Sequence, residues 1–275
     1  MSNFIIQTSN LHHVYPGNVH AIKGISLAIE AGTKVAIIGE NGSGKTTLVK
    51  HFNGLLKPTE GVVKVKEYDT RMHEVAFLAR YVGYVFQNPS DQIFSARVLS
   101  EVEFGPKNLG YPASKVDELV EYALELTKLT KYKDIHPYEL LYAQRRLLCI
   151  ASIIAMDPEV IILDEPTGGL DYKNLQLLEH IIHELTVQGK TLIVISHDID
   201  FVAEFADRVI VLHDGKVLID GEPHDVLKNS DKLKITGVRP PQITRVALRT
   251  IKYGIDARTL TPAELYSQVK KNLNK

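Results

Sequence analysis

Gly39-Glu-Asn-Gly-Ser-Gly-Lys-Thr46 is a full match to the pattern G-x-x-x-x-G-K-[ST], and its residue types suit an anion with several charged oxygens. Glycines at 39, 42 and 44 let backbone N–H groups face phosphates without a Cβ in the way. Lys45 can reach the β and γ oxygens of a nucleoside triphosphate, and the Thr46 hydroxyl suits Mg²⁺. Asn41, Ser43 and Thr47 complete the candidate nucleotide-binding set. Two acids end the apolar run Val160-Ile-Ile-Leu163: Asp164 can hold the metal shell, and Glu165 is placed to orient or deprotonate an attacking water. His197 follows the run Lys190–Ser196 and can donate to a γ-phosphate. Taken singly, these would be a glycine-rich turn, two solvated acids and a polar loop histidine. Taken together they are a cradle, a metal ligand and a base, the parts needed to hydrolyse a nucleoside triphosphate.

Each of these groups needs a rigid element behind it. Lys34-Val-Ala-Ile-Ile38 reads as a buried strand before the glycine loop, and Thr47-Leu-Val-Lys-His-Phe52 as a helix after it. The runs ending at Asp164 and Ser196 read as two more strands, so the chemistry gathers at the carboxyl edge of a parallel sheet, where such sheets bind ligands. Residues 1 to about 90 read as short strands and turns around the first helix, with a turn at Glu60-Gly61. From about Arg97 to Ala155 the pattern is helical, with Val116, Leu119, Val120, Ala123, Leu124 and Leu126 at helix spacing. Strand and helix alternate again over 159–220, which implies right-handed crossovers. Past Leu227 the strand signals stop; Pro240-Pro241 can open a helix to about Tyr253, and Thr261-Pro-Ala-Glu264 is a capping box with Pro262 at the first helical position.

With these residues in place, the chain resembles the nucleotide-binding subunits of ABC transporters, and most closely the ATPases of energy-coupling-factor and cobalt-type importers. The resemblance runs nearly end to end. Tyr15 in Val14-Tyr-Pro-Gly17 is similar to the aromatic that stacks on adenine in that family, and Gln87 in Val85-Phe-Gln-Asn-Pro-Ser-Asp-Gln-Ile-Phe94 to the glutamine that touches Mg²⁺ and leads into a segment facing the membrane partner. Gly169-Leu-Asp171 resembles the loop that communicates across a dimer, and Gly237-Val-Arg-Pro-Pro-Gln-Ile-Thr244 a C-terminal segment of these importer ATPases. The resemblance implies an α/β fold of the P-loop NTPase, ABC type: a mixed sheet core with an antiparallel β subdomain, and a helical subdomain at about 97–155, within a domain of residues 1–230. A small C-terminal helical extension, 231–275, follows; it either helps subunits pair or packs on its own domain. Implied too are ATP and Mg²⁺ as ligands, and a catalytic set of Glu165, His197, Gln87 and Lys45. Thr46, Gln87 and Asp164 lie around the metal, and Asp171 serves in dimer communication.

One segment departs from the family pattern. Leu140-Leu-Tyr-Ala-Gln144 stands where the family has Leu-Ser-Gly-Gly-Gln, and the ungapped run Gln144-Arg-Arg-Leu-Leu-Cys-Ile-Ala151 fixes the register. In the family the serine and glycines begin a helix and contact the γ-phosphate held by the other subunit. Here Leu141 has no hydroxyl, Tyr142 is bulky where close approach to an anion favours glycine, and Ala143 is a milder change. A homodimer carrying that change twice is expected to hydrolyse poorly, unless the Tyr142 phenol serves as donor. The expected assembly is a heterodimer with a second ABC ATPase bearing an intact signature, with one competent and one degenerate site. A membrane-embedded coupling subunit and a substrate-binding membrane subunit complete it. The function implied is ATP hydrolysis that powers uptake of a vitamin or transition-metal ion; the alternative is an ATP-binding regulatory or non-transport ABC protein with little turnover of its own.

Composition supports this and excludes other classes. The chain has 275 residues, 24% of them charged, and a net charge of −1, with no apolar run near the eighteen or so residues of a membrane span. Ser2-Asn-Phe-Ile-Ile-Gln7 lacks a secretion pattern, so the expected location is the cytoplasmic face of the cell membrane, held there by partners. A balanced charge without a basic cluster leaves no footprint for nucleic acid. A phosphotransferase with the same glycine loop would lack the Gln87, Asp171 and His197 series. The single motif set excludes two tandem ATPase domains within this chain. The one cysteine, Cys149, lies in an apolar helix pattern and reads as a buried thiol; His12-His13 are strand neighbours facing opposite sides, which leaves no metal site apart from nucleotide Mg²⁺.

Overall fold

A computed structural model describes residues 3–273, so Ser2 of the N-terminal stretch lies outside the described part. Its centre is built from strands that are mainly apolar. In β3 (Lys34–Ile38), β7 (Val160–Asp164) and β8 (Thr191–Ile195) the side chains on both faces are buried, the signature of a sheet covered on both sides. With β6 (Val82–Val85), β9 (Arg208–His213) and β10 (Lys216–Gly221) they form a six-stranded sheet of order β10-β9-β3-β8-β7-β6. β3 runs parallel to both β8 and β9, β7 parallel to β6 and β8, and only β10 is antiparallel. Parallel neighbours require crossovers, and helices α6 (Tyr172–Val187) and α7 (Ile199–Phe205) supply them between β7, β8 and β9. The carboxyl ends of β3, β7 and β8 therefore lie side by side.

A second, antiparallel sheet has the order β2-β1-β4-β5, from β1 (Phe4–Tyr15), β2 (Val19–Glu30), β4 (Glu60–Val65) and β5 (Tyr68–Asp69). Two sequence expectations are corrected here. Instead of short strands, β1 and β2 have 12 residues each; register shifts along their pairing interrupt the period-two alternation that would have revealed their length. Glu60-Gly61 is no turn but the start of β4. It crosses β1 at a bulge, where Gly61 has φ +83° and a Cβ would lie 2.1 Å from the Asn10 carbonyl oxygen. Helix α1 (Lys45–Phe52) packs between the sheets through Leu48, Val49 and Phe52, all buried with Ile37, Ile195 and Ile210.

The helical segment falls where its periodicity predicts it. After the short α2 (Val75–Leu78), helices α3 (Val98–Asn108), α4 (Ala113–Leu126) and α5 (Tyr142–Ile154) share a core with Leu163, Leu178 and Val194. The six apolar positions read from 116 to 126 are all buried, as is Cys149, whose thiol is pushed up to about 12 chiefly by burial. Past β10, α8 (Pro223–Leu227) and α9 (Ser230–Ile235) are followed by α10 (Gln242–Thr250), which begins after Pro241, and α11 (Pro262–Leu273). The Glu264 N–H donates to the Thr261 hydroxyl at 3.3 Å while the Glu264 carboxylate accepts from the Thr261 N–H at 3.4 Å, so the capping box forms. Leu233, Val238 and Leu260 enter the same cluster as Ala36, Ile38 and Val209, so the inner face of the extension packs on its own domain. Tyr266 and Leu273 on α11 stay exposed. No helix of the described residues is long and apolar enough to cross a membrane.

Candidate active site

The glycine loop joins β3 to α1 and turns so that the first amides of α1 face a cleft of about 350 Å³. Gly44, the residue before α1, has φ +100°, and a Cβ there would come within 2.6 Å of the Ala21 carbonyl oxygen, so both its conformation and its packing require glycine. Lys45 folds back to donate to the carbonyl oxygens of Gly39 at 2.8 Å and Glu40 at 2.9 Å. Burial lowers its pKa, while Glu165, Asp164 and Glu40 oppose that shift by favouring the cation. The Ser43 hydroxyl is buried without a hydrogen-bond partner. A buried hydroxyl of that kind, a lysine and a set of free helix-terminal amides together fit a phosphate chain.

Across the cleft, Asp164 is buried at the end of β7 and receives two donors on one oxygen. The Thr46 hydroxyl lies 3.2 Å from Oδ2 and the Tyr84 hydroxyl 2.6 Å. Asp164 lines the cleft with Thr46 and Gln87, and its carboxylate is the kind of hard oxygen donor that suits Mg²⁺. Glu165 follows with φ +50°, a left-handed conformation that a residue with a side chain rarely adopts. Its Oε2 accepts from the His197 backbone N–H at 3.2 Å, whereas Oε1 is buried without a hydrogen bond, 3.4 Å from the His197 Nε2. Burial is the main reason its pKa is raised, and the neighbouring Asp164 adds to it. A carboxylate of raised basicity lining a phosphate cleft is what a general base needs.

Tyr15, Asn41, Gly42, Gly44, Lys45, Thr46, Thr47, Gln87, Asp164, Glu165 and His197 line this one cleft, although 182 positions separate the first from the last (197 − 15). Gly39 and Ser43 lie just behind it in the loop. The Tyr15 hydroxyl sits 3.2 Å from the Thr47 hydroxyl, which fixes the ring at the rim. Leu140–Gln144 and Asp171 are not in the cleft. Leu141 precedes α5 and is 72% exposed, Tyr142 opens the helix half-exposed, and Gln144 accepts from the Leu141 N–H at 2.9 Å. Asp171 caps α6, accepting from the Asn174 N–H at 2.9 Å. Among the described residues no cluster of three or more His, Cys, Asp or Glu could hold a metal.

Three residues escaped the sequence reading. Tyr84 is a phenol on the otherwise apolar buried strand β6, and a buried hydroxyl must find a partner. Gln92 accepts from the Phe86 N–H at 3.0 Å and donates to the Cys149 carbonyl at 2.9 Å, tying the Gln87 loop to α5. Arg146, a cation among apolar residues of α5, donates to the carbonyls of both Gln87 and Glu165. The available signal was polarity on a face that periodicity marks as buried.

A family model described as ABC transporter matches residues 22–168. The energy-coupling factor transporter ATP-binding protein EcfA1 of Caldanaerobacter subterraneus subsp. tengcongensis is 44% identical, over 92% of this chain and 93% of that protein. An ABC transporter ATP-binding protein of the same organism is 42% identical over 89% of this chain, which spans only 43% of that longer relative. Among solved structures, cbiO1 from Clostridium perfringens, part of the ABC transporter complex cbiONQ, aligns with a TM-score of 0.76 and 34% identity, over 92% of this chain and 98% of that one.

Proposed function

This chain belongs to the ABC transporter family, within its energy-coupling-factor branch of ATP-binding proteins, and on that premise we propose that it is the ATP-hydrolysing subunit of an importer of that type. The observation that carries the catalytic part is the Glu165 carboxylate, its pKa raised by burial, lining the same cleft as the phosphate-loop residues Gly42, Gly44 and Lys45. The loop amides and Lys45 hold the β- and γ-phosphates of ATP, and the Tyr15 ring lies under the base. Glu165 takes a proton from the attacking water, while His197 donates to the γ-phosphate and orients Glu165 through its backbone N–H. Thr46, Asp164 and Gln87 would hold Mg²⁺, which would supply neutralisation of the phosphate charge.

The working assembly in this reading is an asymmetric pair. This chain provides a full set of residues for its own site but offers a partner Leu141 and Tyr142, neither of which is the serine or glycine found in its family. One missing hydrogen bond to a charged phosphate is worth about 1.5–3 kcal/mol, and loss of a transition-state donor slows chemistry on the order of 10²–10³-fold. A related ATPase with an intact signature restores the site built on Lys45 and Glu165. Closure around ATP then moves a membrane-embedded subunit through the Gln87 loop, and the cargo, a vitamin or a transition-metal ion, is bound by a separate membrane subunit. In this reading the C-terminal extension, residues 231–275, helps the subunits pair.

Steady-state ATP hydrolysis by the chain alone, then mixed with a signature-intact paralogue, tests this reading. Low turnover that rises sharply in a stable mixed pair is expected, and vigorous turnover alone refutes the asymmetry. Glu165→Gln should retain ATP binding and lose most turnover in the mixed pair; undiminished turnover there rejects Glu165 as the base.

A further inference from the structure

Arg146 is 6% exposed and, among the described residues, has no carboxylate within ion-pair distance. A buried guanidinium without a counter-ion is costly and persists only where its fork of N–H groups is well used. Here Nη1 donates to the Gln87 carbonyl at 2.5 Å, and Nη2 to the Glu165 carbonyl. Those two carbonyls belong to the loop after β6 and the turn after β7, and Arg146 itself sits on α5. Three elements that are distant in sequence thus meet on one planar group.

The Glu165 turn is the part most in need of an anchor. Its left-handed backbone is held by the Glu165 N–H donating to Ile195 at 2.9 Å, and by its carbonyl accepting from the Gly168 N–H at 3.3 Å and from Arg146. Rotation about this residue would swing the carboxylate that lines the cleft. Tyr142, on the first turn of the same helix, places its hydroxyl 3.4 Å from Arg146 Nη1. Its ring packs on Gly169, where a Cβ would lie 2.8 Å from Cε1. The aromatic that replaces a small residue is therefore braced inside its own chain, against the loop that follows the catalytic glutamate.

We infer that Arg146 is a positioning residue for hydrolysis at this chain's own site: it locks Glu165 and the Gln87 loop in register, and Tyr142 transmits contacts made at the exposed start of α5 to that lock. The inference rests on Glu165 being the general base. A contact pressing on Tyr142 acts through Arg146 on the distance between Glu165 and the water it activates, and so changes chemistry rather than ATP binding.

The test uses the full-length chain in the assembly with the highest turnover. Lysine retains the cation, but a single ammonium cannot hold two carbonyls in a fixed plane. Arg146→Lys is expected to lower kcat on the order of tenfold or more while leaving KM for ATP and equilibrium ATP binding within about twofold, because an ångström of misplacement at a reacting centre can cost as much as 10²-fold. Tyr142→Phe should lower kcat severalfold, and should have no further effect in the Arg146→Lys background, since residues acting through one network are non-additive. A folded Arg146→Lys with unchanged kcat overturns the inference, as does a loss that lies in KM. If Arg146→Lys does not fold, Tyr142→Phe at its half-exposed position decides alone, and unchanged kcat there overturns it. Glu165→Gln run in parallel separates the two ideas: retained turnover in that variant removes the base assignment itself.

Discussion

Leu141→Ser isolates the altered signature better than restoring both residues, because Tyr142 is tied to Gly169 and Arg146 and its removal would disturb the chain's own site. Leu141 is 72% exposed, so only about a quarter of a leucine's burial free energy of roughly 1.5–3 kcal/mol is lost, or about 0.5 kcal/mol. Its backbone already has the extended conformation of a helix cap, with φ −61° and ψ 157°, and no side chain accepts the first helical amides of α5. A serine there contributes about 1 kcal/mol by capping. The net is a gain near 0.5 kcal/mol, which for a chain of this size raises the melting temperature by about 1–2 °C. Turnover should respond far more. A hydroxyl offered to a charged phosphate contributes about 1.5–3 kcal/mol, a factor of roughly 10–150. With Tyr142 still crowding the neighbouring position, the lower end, about tenfold, is expected for the homomer. The assays are steady-state phosphate release and ATP-dependent dimerisation measured by light scattering. Unchanged turnover in a sample that melts normally and pairs with ATP would refute the reasoning, since it would place the weakness of the pair somewhere other than the missing hydroxyl.

Tyr84→Phe removes the 2.6 Å donor on Asp164 and should raise the Mg²⁺ concentration for half-maximal hydrolysis about 10–100-fold, with little change in kcat at saturating Mg²⁺. The same variant should lose about 1.5–3 kcal/mol of stability, and an unaltered Mg²⁺ titration would show that the phenol does not orient the acid. For Glu165 the raised pKa means that the buried group contributes stability below the ordinary carboxylate range, which is lost as pH rises through its folded pKa. Glu165→Gln should therefore melt higher than the parent at neutral pH and show a flatter dependence, whereas a lower melting point would contradict the burial argument. His51, buried on α1 with its Nε2 3.1 Å from the His13 Nδ1, has its pKa lowered to about 4, mainly by burial. Its stabilising effect is complete above pH 6.5 and falls away between there and about pH 4, by about 3 kcal/mol at most, so His51→Gln should shrink the acid loss seen in chemical denaturation. An equal acid loss in that variant would assign the effect to other groups.

Most of the reacting groups could be read before any fold was known because each is local. The phosphate loop is a contiguous string, and Asp164 and Glu165 end a strand whose four preceding residues are apolar. Helix α11 was legible for the same reason, since a capping box is written within four residues. The long β1–β2 pair was less so, because bulges interrupt the alternation that marks a strand. Gly61 misled because a glycine at positive φ serves a bulge as readily as a turn.

By itself the sequence determined which chemistry is available and that Leu141 offers no hydroxyl, since residue type and short spacing suffice for both. Only the tertiary structure decided what steers that chemistry. Tyr84 meets Asp164 across 80 positions and Arg146 meets Gln87 across 59, and Tyr142 on α5 reaches Gly169 in the loop after β7. Such contacts have no local pattern to announce them. They arise because packing three layers around the sheet leaves buried polar groups that must find partners, and only the folded geometry settles which partners lie within reach.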